Sequence, residues 1–144
     1  RPIILGGWGI RKEIHNTSLI EWIRERGQEV KFLTSVCTGA VLLGKAGLLD
    51  GHRAPTHWAA IPWMQELFPH VEVDARYHVV KDGHIFTSAG ISAGIDMALH
   101  VVAHYFGERI ALITARRMEY LWSQDNARHI DIETNYKPGT SFTG

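Results

Sequence analysis

The sequence predicts an α/β fold, a mostly parallel sheet lying between layers of helices. Three observations predict it. First, the apolar run Ile3-Ile4-Leu5, a segment of helical period from Asn16 to Arg26, and a second β-branched run from Val30 to Val36 follow in the order of a strand–helix–strand crossover. Second, the run ending at Val36 passes through Cys37 straight into Thr38-Gly39-Ala40-Val41-Leu42-Leu43-Gly44-Lys45-Ala46, which reads as the first turns of a helix. A strand that turns sharply into a helix holds one side chain up at the carboxyl end of a sheet, the geometry of a nucleophile elbow. Third, Tyr77–Lys81 and His84–Ser88 flank Asp82-Gly83, a specific hairpin signal between alternating strands.

The elements follow in order. Gly6-Gly7-Trp8-Gly9 after the first strand suits either close backbone approach to a ligand or an ordinary tight turn. In the helix 16–26, Leu19, Ile20 and Ile23 share one face and Glu21, Arg24 and Glu25 the other. Asn16, Thr17 or Ser18 can cap its start, and Gly27 is expected to end it. After the elbow helix, 47–51 is a loop and 52–56 is short and extended. His57 follows, just past a strand, where open α/β sheets bind ligands. Trp58 suits packing. A short helix 59–68 carries Pro62 in its first turn, and Val71–Asp74 alternates as a strand. Ser88–Asp96 is a strand end, a small-residue loop and a helix start, with Gly94 suited to close helix–sheet packing. The helix 95–106 is largely apolar and is expected to be buried on more than one side, with Gly107 ending it. Helix 108–120 should turn Ile110, Ala111 and Ile113 inward and Arg116, Arg117 and Glu119 outward.

Composition bounds the function. The 144 residues suffice for one domain with a real core, and a formal net charge of zero gives no electrostatic footprint for nucleic acid. No apolar run reaches the roughly 20 residues that cross a bilayer, so no membrane partner is expected. One cysteine excludes an internal disulfide and fits a reducing, cytoplasmic setting. The nine histidines lack metal-ligand spacing, so neither a metal nor another cofactor is expected. Cys37 alone could be a buried small hydrophobe. Its place at a helix start, where free N–H groups favour thiolate over thiol, points instead to a reactive sulfur.

Ser35-Val36-Cys37-Thr38-Gly39-Ala40, then Leu42-Leu43-Gly44-Lys45-Ala46-Gly47-Leu48-Leu49-Asp50-Gly51 and Thr56-His57-Trp58, resemble the ThiJ/PfpI family of the class I glutamine-amidotransferase-like superfamily. Within it the likeness is to isonitrile hydratases and to the ligand-binding domains of AraC-type regulators. It runs from about Ile3 to about Tyr120. This divides the chain into a domain at 1–120 and a tail or docking arm at 121–144, and implies that an amino-terminal part of the domain is missing. The resemblance implies a flavodoxin-like three-layer α/β/α sandwich and a homodimer acting on a small molecule.

It also implies site roles. Cys37 would be the nucleophile, the Gly7 and Thr38 amides the oxyanion donors, and His57 a neighbour of the thiol that tunes it or moves a proton. Gly6, Trp8, Ser88, Ala89, Gly90 and Ile91 would line the pocket, and Asp96 would brace the 88–94 loop. By that likeness the activity is hydration of an isonitrile through a Cys37 thioimidate, with a carboxylate supplied from the missing segment. Thr38 stands where the protease-like branch has His, which argues against a Cys–His dyad. His129-Ile130-Asp131-Ile132-Glu133 is a near miss to the His-Pro-Glu element of glutamine amidotransferases, lacking the proline. Two alternatives stay open: a ligand-binding module of an AraC-type regulator, although no helix-turn-helix follows Tyr120, and a thiol-dependent glyoxalase or deglycase relative.

Overall fold

The computed structural model describes residues 2–122 and 124–128. Strand β1 (Ile3–Leu5) leads to a short helix α1 (Ile10–Glu13), helix α2 (Thr17–Glu29), strand β2 (Leu33–Val36) and helix α3 (Gly39–Lys45). Strand β3 (Arg53–Ala54), a 3₁₀ turn (Trp58–Ala60), helix α4 (Ile61–Leu67) and strand β4 (Glu72–Val73) come next. The hairpin β5 (Val79–Asp82) and β6 (Ile85–Ser88) and the helices α5 (Ala93–Phe106) and α6 (Glu108–Arg117) complete the order.

Four strands form the central sheet in the order β1-β2-β6-β5, and β3 and β4 pair as a separate parallel ribbon. β2 lies parallel to both β1 and β6, and only the β5–β6 pair is antiparallel. Successive strand residues point to opposite faces. Leu33 and Ile85 therefore join Ile4, Ile23, Val41, Leu43 and Met64 in the core under α2 and α3. Phe86 joins Val79, Ala89 and Met97 in the core under α5, with Phe32 and Val36 packed against it. Helices on both faces of a mostly parallel sheet make this the flavodoxin-like three-layer fold.

Several expectations need correction. Gly27 lies inside α2, not at its end. It is buried, and a Cβ there would run into a Leu48 methyl, so the glycine admits the following loop and Val30 caps the helix instead. β2 consequently begins at Leu33. In the hairpin, Asp82 pairs with Ile85, so Gly83-His84 is the loop and Asp82 still belongs to the strand. α1 was not read from the sequence at all. α5, by contrast, is buried on two sides as expected, through Ala93 and Met97 against the sheet and through Leu99 against α6, with Ile95 and Phe106 left exposed. In α6 the inward residues are Ala111 and Ala115, while Ile110 and Ile113 are exposed. Close packing of α6 on α5 selects the small residues and turns the larger ones out. Among the described residues no helix is long and apolar enough to cross a membrane.

α3 meets β1 through two glycines. A Cβ on Gly39 would collide with the Ile4 carbonyl oxygen, and one on Gly6 would lie 2.5 Å from the Thr38 nitrogen. Gly39→Ala should therefore overpack the join and lower stability by about 1–3 kcal/mol. Gly9→Ala, where a Cβ meets nothing within 4 Å, should leave it nearly unchanged. Urea unfolding of the two variants checks the contrast, and equal midpoints would remove the close-contact account.

Candidate active site

Cys37 is the first of the two residues, Cys37 and Thr38, that join β2 to α3. Its φ is 59°, the left-handed region that a side chain with a Cβ adopts at a cost of about 1 kcal/mol or more. Two bonds hold it there. Its N–H donates to the Ser88 carbonyl at 3.0 Å, continuing the β2–β6 ladder one residue past the strand. Its carbonyl accepts from the Thr56 hydroxyl at 3.1 Å, and Thr56 is wholly buried. Cys37 as a whole is half-buried, neither sealed in the core nor fully exposed. A fixed backbone and an accessible sulfur are what nucleophilic attack requires.

Thr38 and the β1 glycine turn lie together beside it. The Gly7 N–H, expected to serve an oxyanion, here donates to Thr38 Oγ1 at 3.0 Å. That donor is engaged by a side chain, which the short reach between Gly6 and Thr38 makes possible. His57 caps the 3₁₀ turn, and its Nδ1 accepts from the Ala59 N–H at 3.3 Å. The neutral ring therefore carries its proton on Nε2. Cδ2 lies 4.0 Å from where a Cβ on Gly90 would sit, so the imidazole borders the 88–90 turn. Burial, and then the positive charge of Arg128, push the His57 pKa below its ordinary 6.5.

The remaining expected residues divide. Gly90 is half-buried next to His57, in keeping with a lining role. Ser88 and Ala89 are buried as support: Ser88 Oγ donates to the Ser35 carbonyl at 3.3 Å, and the Ala89 N–H to the His78 carbonyl at 2.7 Å. Trp8 and Ile91 are 90% and 83% exposed, so as placed here neither encloses a ligand. Asp96 braces other elements than the 88–94 loop. It accepts from the Tyr120 hydroxyl at 3.0 Å, and its carboxylate is 3.4 Å from His78 Nε2. A depression of about 390 Å³ lined by Ile14, Ile20, Arg24 and Lys45 lies at the far end of α3 from Cys37 and shares no residue with this site. Among the described residues no group of three or more His, Cys, Asp or Glu could hold a metal.

Residues beyond the elbow also reach the site, unanticipated from the sequence. Ala127 bridges Tyr77 in antiparallel sense, and the His78 N–H donates to the Asn126 carbonyl at 2.9 Å. This brings Arg128 Nη2 to 3.2 Å from the Thr56 carbonyl. Sequence separation hid the contact, since 72 residues part Arg128 from Thr56 and no periodicity marks the segment. His129, Asp131 and Glu133 lie outside the described residues.

The DJ-1/PfpI family matches residues 3–104, which spans every site residue except Arg128. The isonitrile hydratase of Pseudomonas putida is 38% identical over 116 residues, covering 80% of this chain and 49% of the relative. The HTH-type transcriptional regulator GbdR of Pseudomonas aeruginosa is 30% identical over 139 residues, covering 96% of this chain and 37% of the regulator. A THiJ/PfpI family protein from Pseudomonas syringae superposes with a TM-score of 0.73 at 30% identity, over 85% of this chain and 51% of that one. The chain thus spans about half or less of the length of these relatives.

Two outcomes are expected. Thr56→Val removes the donor to the Cys37 carbonyl and leaves that carbonyl unsatisfied, at a cost of about 1–3 kcal/mol in thermal or urea unfolding. For His57, the folded pKa lies below the unfolded 6.5, so its contribution to stability is complete above 6.5 and is lost as pH falls from there through the folded value. Arg128→Gln removes one of the two causes and should move the imidazole titration, followed by NMR, up toward 6.5. An unmoved or lowered titration would contradict the assignment.

Proposed function

Because this chain belongs to the DJ-1/PfpI family, we propose that it carries out thiol chemistry on a small molecule at Cys37, and that the reaction is hydration of an isonitrile to an N-substituted formamide. The observation that carries the reading is Cys37 itself. A half-buried residue held at φ 59° by Ser88 and Thr56 is a strained conformation maintained by its surroundings. Such strain gathers at functional positions. The 38% identity to an isonitrile hydratase over 80% of the chain supports the choice of substrate class.

The proposed steps balance as follows. The Cys37 thiolate attacks the terminal isonitrile carbon, forming an S–C bond while one C–N π bond yields its electrons. A proton taken up at that carbon gives the thioimidate. Water adds to the same carbon with one of its protons passing to nitrogen, and collapse breaks the S–C bond and releases the hydroxyl proton, which replaces the one taken up at carbon, giving formamide and thiolate. With Nδ1 committed to Ala59, neutral His57 has only Nε2–H to offer, so its part is hydrogen-bond donation, not base catalysis. The Thr38 hydroxyl and amide, next to Cys37 in the chain, are the donors assigned to the developing charge.

A second reading, a domain that binds a small molecule without turning it over, draws on the likeness to GbdR. That likeness extends over 139 residues, farther along this chain than the 116 of the hydratase. Formamide production from cyclohexyl isocyanide separates the two. Wild-type protein should turn it over, and Cys37→Ala should lower the rate by about three orders of magnitude. No turnover, together with saturable binding that survives Cys37→Ala, would reject the enzyme and favour the regulator. Methylglyoxal run in parallel tests the glyoxalase branch.

A further inference from the structure

Three guanidiniums gather near one enclosed carboxylate. Asp74 has a fully buried side chain, with Arg76 Nη2 at 3.3 Å and Arg53 Nε at 3.6 Å from its Oδ2. Arg128 is different. Its hydrogen bond among the described residues goes to a neutral carbonyl, that of Thr56, and its Nε is enclosed with no described partner. A half-buried cation whose described hydrogen bond goes to a carbonyl, with the Asp74 charge reaching it only through space, retains capacity to bind a second anion. Its position is fixed: the Arg128 N–H donates to the Arg76 carbonyl at 2.7 Å, and His78 Nδ1 lies 2.8 Å from the Ala127 carbonyl.

That position borders the elbow. The Thr56 carbonyl meets Arg128, while the Thr56 hydroxyl meets the Cys37 carbonyl, so one buried residue links the guanidinium to the backbone of the nucleophile. We propose that Arg128 forms an anion subsite of the Cys37 site, which therefore takes ligands bearing a carboxylate close to the carbon that meets sulfur. This rests on the reading of Cys37 as the reacting group. Arg53 and Arg76 already face Asp74, so a single guanidinium fork is on offer, which matches one planar carboxylate and not a multiply charged phosphate. His57 bears on the same place. Its pKa is held down partly by Arg128, so the imidazole stays neutral and leaves the guanidinium as the cation there.

Alkylation of Cys37 by iodoacetate and by iodoacetamide tests this directly. Both reagents form the same S–CH₂ bond with loss of iodide, and they differ in one negative charge. The ratio of the two rates should exceed that of glutathione at the same pH and salt by about tenfold, the scale of one charge-assisted hydrogen bond. Arg128→Gln should return it to the small-thiol ratio, and Arg128→Lys should retain part of it. A wild-type ratio equal to that of glutathione, or one unchanged in Arg128→Gln, overturns the subsite. A purely structural role for Arg128 would change both rates together. If Arg128→Gln does not fold, protection of wild-type Cys37 from iodoacetamide by propionate but not propionamide reads the same subsite, and equal protection overturns it. The absolute iodoacetamide rate tests the thiol reading separately: a slow rate with a raised ratio would overturn that chemistry while supporting the subsite.

Discussion

One backbone conformation organises this molecule. Cys37 sits at φ 59°, and four separate segments are arranged so that it stays there. β6 supplies the Ser88 carbonyl to its N–H, and the segment after β3 supplies the Thr56 hydroxyl to its carbonyl. β1 and α3 close around it through Gly6 and Gly39, neither of which leaves room for a Cβ. The left-handed conformation costs about 1 kcal/mol or more, and net hydrogen bonds of about 1 kcal/mol each are sufficient to offset it. The offset holds only while the sheet, the ribbon and the helix keep their register, so the strain at one residue depends on tertiary structure throughout the domain.

What the sequence made legible follows from range. The elbow was readable because a β-branched run, a cysteine and a small-residue helix start are contiguous. The hairpin was readable because Asp82-Gly83 is a local signal, although the pairing placed Asp82 in the strand and moved the loop by one residue. Gly27 was misread because the same residue type serves both to end a helix and to admit a neighbour, and only the position of Leu48 decides between them. In α6 the apolar period was real, but Ala111 and Ala115 took the inward places because close approach to α5 favours small side chains over Ile110 and Ile113.

The polar interior beside the site was not legible at all. Asp96 looked like a brace for its own loop. It meets Tyr120, 24 positions along, and His78 of β5's approach instead. His78 in turn holds the Asn126–Ala127 backbone, which delivers Arg128 to Thr56. Each link is a side chain or carbonyl without any period or motif. Buried polar groups must find partners, but the sequence does not say which ones. The chain of contacts makes Asp96 matter to the site through position, at a distance from the sulfur.

The glycine turn shows how such a site can change its hydrogen bonds without changing its frame. The Gly7 N–H now donates to Thr38 Oγ1 at an exposed position. On the proposed reaction, an anion developing beside Cys37 would compete with that hydroxyl for the amide. Losing an exposed neutral hydrogen bond costs about 1 kcal/mol, and a charge-assisted bond from the same N–H is roughly twice as strong. On that reading the exchange would run toward the anion, and the Thr38 hydroxyl, which now donates to the Gly7 carbonyl at 3.5 Å, could turn toward it as well. A His at this position could not make the same exchange, because an imidazole has no rotatable O–H. If the proposed chemistry holds, Thr38 would thus give the elbow donors occupied at rest and released by charge, while Ser88 and Thr56 keep the Cys37 backbone fixed.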